Sequence, residues 1–288
     1  MSPRSPVDDG RRRRVRHLSD LVPPDQRTDL RHRLGRYHPW ESGYDLTAPP
    51  PPPGQATGPP DFVGVGVPAA GADWWFGLIA GHPGVSAPPV PGGARHYLSH
   101  YATRPFGPTE VERYHHWFPR RPGTITGEWT PTYLGDPWVP PLLARAAPDT
   151  RIIMVVRDPV DRLRLGLLET AGLRAANAGA HMAESVDRSV YARPLRQLLH
   201  HFPADRVLVL QYERCVGDPA AQLAVTYRFL ELDDRHRPAG PLRPPRTVHP
   251  TPLDRTTDRR LIDLYADDVT DLMALVPTLD LSLWPRFA

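Results

Sequence analysis

Residues Pro68-Ala69-Ala70-Gly71-Ala72-Asp73 lie between an apolar run, Asp61–Val67, and an apolar helical stretch, Asp73–Pro83. A strand, a tight loop and a helix in that order aim backbone amides and a helix N-terminus at a phosphate or sulfate. This loop contains no Lys, Arg, Ser or Thr, so its backbone, at Gly71 and Ala72 above all, must hold any anion. Asp73 reads in two ways: as a base beside the anion, or as a carboxylate capping the first helical turn. Arg157 follows the five-residue apolar run Ile152–Val156. A charge at a strand end in an α/β sheet faces the ligand crevice, where Arg157 either grips a phosphate or pairs with a carboxylate. His96 and His100, close to Arg95, are candidates for proton transfer, and equally for structural histidines. His115-His116 lacks metal-ligand spacing, and no metal site is expected.

The bulk composition narrows the chemistry. The chain has 288 residues, 40% of them hydrophobic, enough for one large domain or two small ones. Its formal net charge of +3 argues against a dedicated nucleic-acid binder. All 35 basic residues are Arg, so no step can use a lysine ammonium. A single cysteine, Cys215, excludes an internal disulfide and a multi-cysteine zinc site. No apolar run has the length of a membrane span. The basic run Arg11–His17 is followed by polar residues, not by an apolar segment. A cytoplasmic location is expected.

The elements that must position these residues follow from hydrophobic patterning. Residues 1–17 are expected to be disordered, Asp25–Tyr37 to be helical, and Ala48–Pro60 to be a Pro/Gly linker. This gives an Arg/Pro-rich arm, 1–60, and a folded domain, 61–288. Asp61–Val67, Arg151–Val156 and Arg206–Glu213 read as buried strands. Helices are expected at 73–83, 160–177, 218–232 and 258–276. Asp218 should cap the third, with Pro219 in its first turn. Leu261, Leu264, Tyr265, Leu272 and Leu275 should share one face of the last. Trp74 and Trp75 read as core. Strands interleaved with helices predict an α/β fold with a mostly parallel sheet flanked by helices.

Together these segments resemble the sulfotransferase family, in particular its bacterial small-molecule branch, over roughly residues 61–288. The resemblance rests on Asp61–Val85, on Gly127–Leu134 (GEWTPTYL), on Arg151–Glu169, on Arg206–Leu232, and on the tail from His249 to the closing Trp-Pro. It implies a P-loop-related fold and transfer of a sulfuryl group from 3'-phosphoadenosine 5'-phosphosulfate (PAPS) to an alcohol or amine. Such transfer is a loose in-line displacement helped by charge stabilisation and an acceptor base.

Residue by residue, the donor contacts are altered. Where the family reads Pro-Lys/Arg-Ser-Gly-Thr-Thr, this chain has Ala69 for the cation and Ala70, Ala72 and Asp73 for the hydroxyls. Gly93-Ala94 replaces a Lys-Glu pair, with Arg95, His96 and His100 as nearby substitutes. Arg157, Asp158, Pro159 and Arg162 of the 3'-phosphate motif are kept, with Leu165 in place of a Ser. Glu128 is kept, with Trp129 for a Lys, and is expected to organise the pocket by hydrogen bonding. The implied catalytic set is Asp73, His96, His100 and Glu128; the implied donor set is Gly71, Ala72, Arg95, Arg157 and Arg162.

The leading expectation is an enzyme of sulfate-ester chemistry on a small molecule. It would eliminate or displace a sulfate that an active sulfotransferase partner installs, with Asp73 taking the proton. The alternatives are a genuine PAPS-dependent sulfotransferase and a non-catalytic partner of an active homologue. Neither a nucleic acid nor a membrane is expected as a partner.

Overall fold

The computed structural model describes residues 46–86, 93–171, 178–244 and 253–288. The expected basic arm and the helix at 25–37 lie outside them. The described elements are, in chain order, β1 (Ala56–Thr57), β2 (Phe62–Gly66), α1 (Ala72–Ala80), α2 (Pro108–His115), β3 (Pro119–Arg120), β4 (Gly127–Trp129), α3 (Val139–Ala146), β5 (Arg151–Val156), α4 (Pro159–Ala171), α5 (Ala178–Asp187), α6 (Ala192–His201), β6 (Val207–Gln211), α7 (Tyr212–Gly217), α8 (Pro219–Phe229) and α9 (Arg255–Leu275).

Four strands form a parallel sheet in the order β4-β2-β5-β6. The two central strands, Phe-Val-Gly-Val-Gly and Arg-Ile-Ile-Met-Val-Val, are buried apart from Arg151. Burial on both faces is what a continuous apolar run in a parallel sheet requires. The edge strand β6 is only partly buried over Val207–Val209. β6 ends at Gln211, two residues before the expected strand end, and the chain turns helical at Tyr212. Gly64 admits Trp129 against β2: a Cβ there would lie 2.0 Å from Trp129 Cδ2.

The stretch expected as a linker lies along the domain. β1 pairs antiparallel with β3, Trp117 Nε1 donates to Leu46 O (3.3 Å), and Leu46 and Ala48 pack against the core. Arg120 joins this segment to β2 through Asp61 (2.7 Å) and the Pro59 carbonyl.

Asp218 caps α8 by accepting from the Ala221 amide, with Pro219 in the first turn, as the sequence indicates. On α9, Tyr265 and Leu272 are buried, but Leu264 is 52% exposed, so the apolar face is narrower than expected. Val269 takes the inward position between them.

The tail locks the carboxyl edge of the sheet. Arg286 bonds Asp158 (3.2 Å), Asp161 (3.0 Å) and Asp258 (3.0 Å). Trp284 Nε1 donates to Glu213 (2.8 Å), whose other oxygen accepts from the Asp158 amide (2.9 Å). Cys215, on α7 beside this lock, is fully buried, and burial pushes its thiol up to about 12.

Candidate functional site

The ends of β2, β5 and β6 bring the Pro68–Asp73 loop, Arg157 and Tyr212 together at the carboxyl edge of the sheet, where α/β folds bind ligands. Gly71 is the N-cap of α1 at φ 78°, and no side chain caps the helix. Its first-turn amides are therefore left for an anion. Ala69 also has a left-handed backbone, φ 62°. An L-residue holds such a conformation only when its surroundings impose it.

Two arginines impose it. Arg162 Nε donates to Pro68 O (3.0 Å) and Arg157 Nη1 to Ala69 O (3.3 Å). Arg162 is 2% exposed, and its Nη1 reaches Ser185 O (2.6 Å) and Ser189 Oγ (3.3 Å). Expected as a donor contact, it is instead spent on the loop backbone and α5. Arg157 lies over the Tyr212 ring at 4.3 Å, a cation–π distance. Tyr212 stands edge-on to Trp74, 6.3 Å away. Arg157 Nε and Trp74 Nε1 are both buried and have no hydrogen-bond partner among the described residues. Trp75 is core, as expected, with Nε1 on Thr226 (3.1 Å). Trp74 belongs to the wall of the site.

The other expected residues fall into two places. Asp73 is exposed in the first turn of α1. Glu128, on β4, is fully buried: Oε1 accepts from Tyr114 (2.5 Å) and Oε2 from Thr130 (2.6 Å). The Thr130 hydroxyl also accepts the amides of Arg95 (2.9 Å) and His96 (3.3 Å). Burial pushes the Glu128 carboxyl up, against the pull of these hydrogen bonds and of Arg95 and His96. Arg95 is 6% exposed and lies 5.5 Å from the Trp117 ring. His96, at φ 52°, has Nδ1 3.3 Å from Thr132 Oγ1. His100 is fully buried. With both oxygens of Glu128 engaged, this cluster is a buried polar network that fixes the chain from 93 to 100 against β4. His115 bonds the Ala146 carbonyl (2.7 Å). Among the described residues no group of three or more His, Cys, Asp or Glu is placed to hold a metal, and no helix is long and apolar enough to cross a membrane.

The residues at the loop fit a nucleotide with two anionic ends. The uncapped N-terminus of α1 suits one phosphate and the unpartnered Arg157 Nε a second, while Tyr212, buried beneath Arg157, and Trp74 brace the arginine. Neither Trp74 nor Tyr212 stands out from sequence alone, because each sits in an apolar run. Leu165 is buried and offers no polar atom.

Residues 94–236 match the Sulfotransferase family. Heparan sulfate glucosamine 3-O-sulfotransferase 3B1 of Homo sapiens is 32% identical over 124 residues, 38% of this chain and 32% of that protein. Heparan sulfate glucosamine 3-O-sulfotransferase 6 of Mus musculus is 35% identical over 123 residues, 38% of this chain and 36% of that protein. The chain thus spans about a third of the length of the curated relatives it matches. The crystal structure of a sulfotransferase from Alicyclobacillus acidocaldarius superimposes with a TM-score of 0.64 at 20% identity, covering 79% of this chain and 99% of that one. The chain carries a sulfotransferase-family domain, built on the sulfotransferase fold.

Proposed function

We propose that this protein is a PAPS-dependent sulfotransferase of a small hydroxyl- or amine-bearing molecule, with a loop stiffened by arginine instead of carrying a lysine. One observation carries the reading: the loop keeps its left-handed, anion-receiving backbone at Ala69 and Gly71, clasped by Arg157 and Arg162. When bound, PAPS would supply the sulfuryl group. Arg157 would meet a phosphate with its unpartnered Nε, while its Nη1 holds the loop. The first-turn amides of α1 would receive the other anionic end. Arg162 acts through the loop, as a positioning residue. Glu128, enclosed and doubly bonded, holds the network and does not reach an acceptor.

Calorimetric titration with 3'-phosphoadenosine 5'-phosphate, the desulfated nucleotide, tests this. The expected result is micromolar binding that weakens about 10- to 100-fold in Arg157→Ala, the value of charge-assisted hydrogen bonds. No binding at millimolar nucleotide overturns it.

A second reading is favoured by one observation, the exposed carboxylate of Asp73 at a loop without a cation at position 69. An incoming donor is repelled there, whereas a base is useful for a sulfate ester that loses its sulfate. Release of inorganic sulfate from a sulfated small molecule without PAPS, abolished in Asp73→Asn, would establish that reading. Release unchanged in the variant would remove Asp73 from it.

A further inference from the structure

The turn Tyr133–Gly135 leads from the GEWTP segment into α3, and Asp136 follows it. Asp136 is one wall of a cavity of about 440 Å³. Val67 and Pro68, the entry to the loop, form another wall, and Asp187, Arg188 and Gln197 form the far side. The volume suits a small molecule of one or two rings. Only one oxygen of Asp136 is engaged: Oδ2 accepts from Ser99 (2.5 Å). Oδ1 accepts no hydrogen bond among the described residues. Arg188 places Nε and Nη2 on Glu184 (3.0 and 2.6 Å), while its Nη1 is buried without a partner among the described residues. One cavity beside the loop therefore presents an open carboxylate oxygen, with the enclosed, unpartnered Arg188 Nη1 behind its far wall. A hydroxyl in the cavity answers the carboxylate by donating to Asp136.

We infer that this cavity is the acceptor pocket and that Asp136 Oδ1 is the base that takes the acceptor's proton. The inference rests on the sulfuryl-transfer reading above. The acceptor class is a hydroxyl-bearing small molecule, neutral or cationic, because Asp136, Glu184 and Asp187 outnumber Arg188 and Arg193 around it. In the step, the acceptor O–H bond breaks and its proton passes to Oδ1. The acceptor oxygen bonds sulfur as the sulfur–oxygen bond to the donor phosphate breaks, and the electron pair leaves with the nucleotide. Burial, aided by the Glu184 carboxylate, outweighs Ser99, Arg188 and His96 and pushes the Asp136 carboxyl up, toward the range a base needs.

Two measurements on the full chain test this. The first is labelling of carboxylates with a water-soluble carbodiimide and methylamine, read at Asp136 by peptide mass spectrometry. Asp136 should label in the native protein. Both millimolar D-glucose, which has no amine to compete with methylamine, and the rim substitution Gln197→Trp should slow it about fivefold, as an enclosed pocket implies. The second compares Asp136→Asn with the native chain. Sulfuryl transfer from labelled PAPS to D-glucosamine should fall about 100-fold or more, while calorimetric binding of the desulfated nucleotide stays unchanged. Labelling of Asp136 that neither glucose nor Gln197→Trp slows overturns the pocket. Transfer at the native rate in Asp136→Asn overturns the base. Failure of the nucleotide to bind the native chain sinks the donor reading instead, and the labelling result then decides the pocket by itself.

Discussion

Replacing Arg162 by Met isolates the clasp that holds the loop. Methionine keeps much of the volume and removes the hydrogen bonds to Pro68 O, Ser185 O and Ser189 Oγ among others. Ser185 O keeps a partner in the Ser189 hydroxyl (3.3 Å). The Pro68 carbonyl keeps none among the bonds described. An orphaned buried acceptor costs about 1–3 kcal/mol and each of the other bonds about 0.5–1.5 kcal/mol. Opposing this, a buried guanidinium no longer has to be stripped of water on folding. The net loss should be about 2–4 kcal/mol, a fall in Tm of roughly 4–16 °C for a domain of this size. Urea unfolding followed by tryptophan fluorescence measures it. Nucleotide affinity should fall less than in Arg157→Ala, because Arg162 touches only the protein. A stability loss below about 1 kcal/mol would refute the clasp. A collapse in affinity at native stability would show that Arg162 contacts the ligand itself.

Three further outcomes follow from the same geometry. Gly64→Ala should cost more than about 3 kcal/mol, since its Cβ would overlap the Trp129 indole; pairing it with Trp129→Leu should recover part of the loss in a double-mutant cycle, and no coupling would refute the contact. Ala69→Gly should change stability by less than about 0.5 kcal/mol, relief of the left-handed strain offsetting the greater freedom of the unfolded chain. Gly71→Ala, with a Cβ 2.9 Å from Tyr212, should cost about 2 kcal/mol or more; equal effects in urea melts would contradict this pair. Asp136→Asn should become more stable relative to the native chain as pH rises. The folded carboxyl titrates above its unfolded value, so both forms are protonated in acid, and ionisation penalises only the native aspartate as pH passes its raised pKa. A difference that narrows with rising pH would mean that Arg188 and His96 outweigh burial.

The sheet is legible in the sequence because its central strands are continuous apolar runs, Phe62–Gly66 and Ile152–Val156, the first entered from Asp61 and the second bounded by Arg151 and Arg157. β4 is three residues long, too short for periodicity, and only the GEWTP resemblance points to it. The uncapped loop and Arg157 at a strand end are local signals and were readable. The clasp was not: Arg162 and Pro68 are 94 residues apart, and nothing in either segment announces the other. For the same reason Glu128 reads as a candidate acid or base until the fold delivers Tyr114 and Thr130 to its two oxygens. Asp136 lies in Gly-Asp-Pro, a pattern indistinguishable from an ordinary turn. Its chemistry arises from Ser99 and from Arg188, which tertiary structure alone supplies. Leu264 shows the converse, an apolar residue in the right period on a helix whose partner surface ends too soon.

The lone thiol of Cys215 gives this chain a built-in clock. It lies on the inner side of α7, beside the Trp284–Glu213–Asp158 lock, fully enclosed and protonated. A thiol reagent reaches it only in the moments when that corner comes apart, and no second cysteine competes for the label or shuffles with it. Under mild conditions the labelling rate is therefore the opening frequency of the carboxyl edge multiplied by the reactivity of an open thiol. Any molecule that settles between the loop and Arg157 braces the same corner and slows the clock. Occupancy of the site thus becomes visible as a reaction half-life, with no knowledge of the acceptor and no turnover.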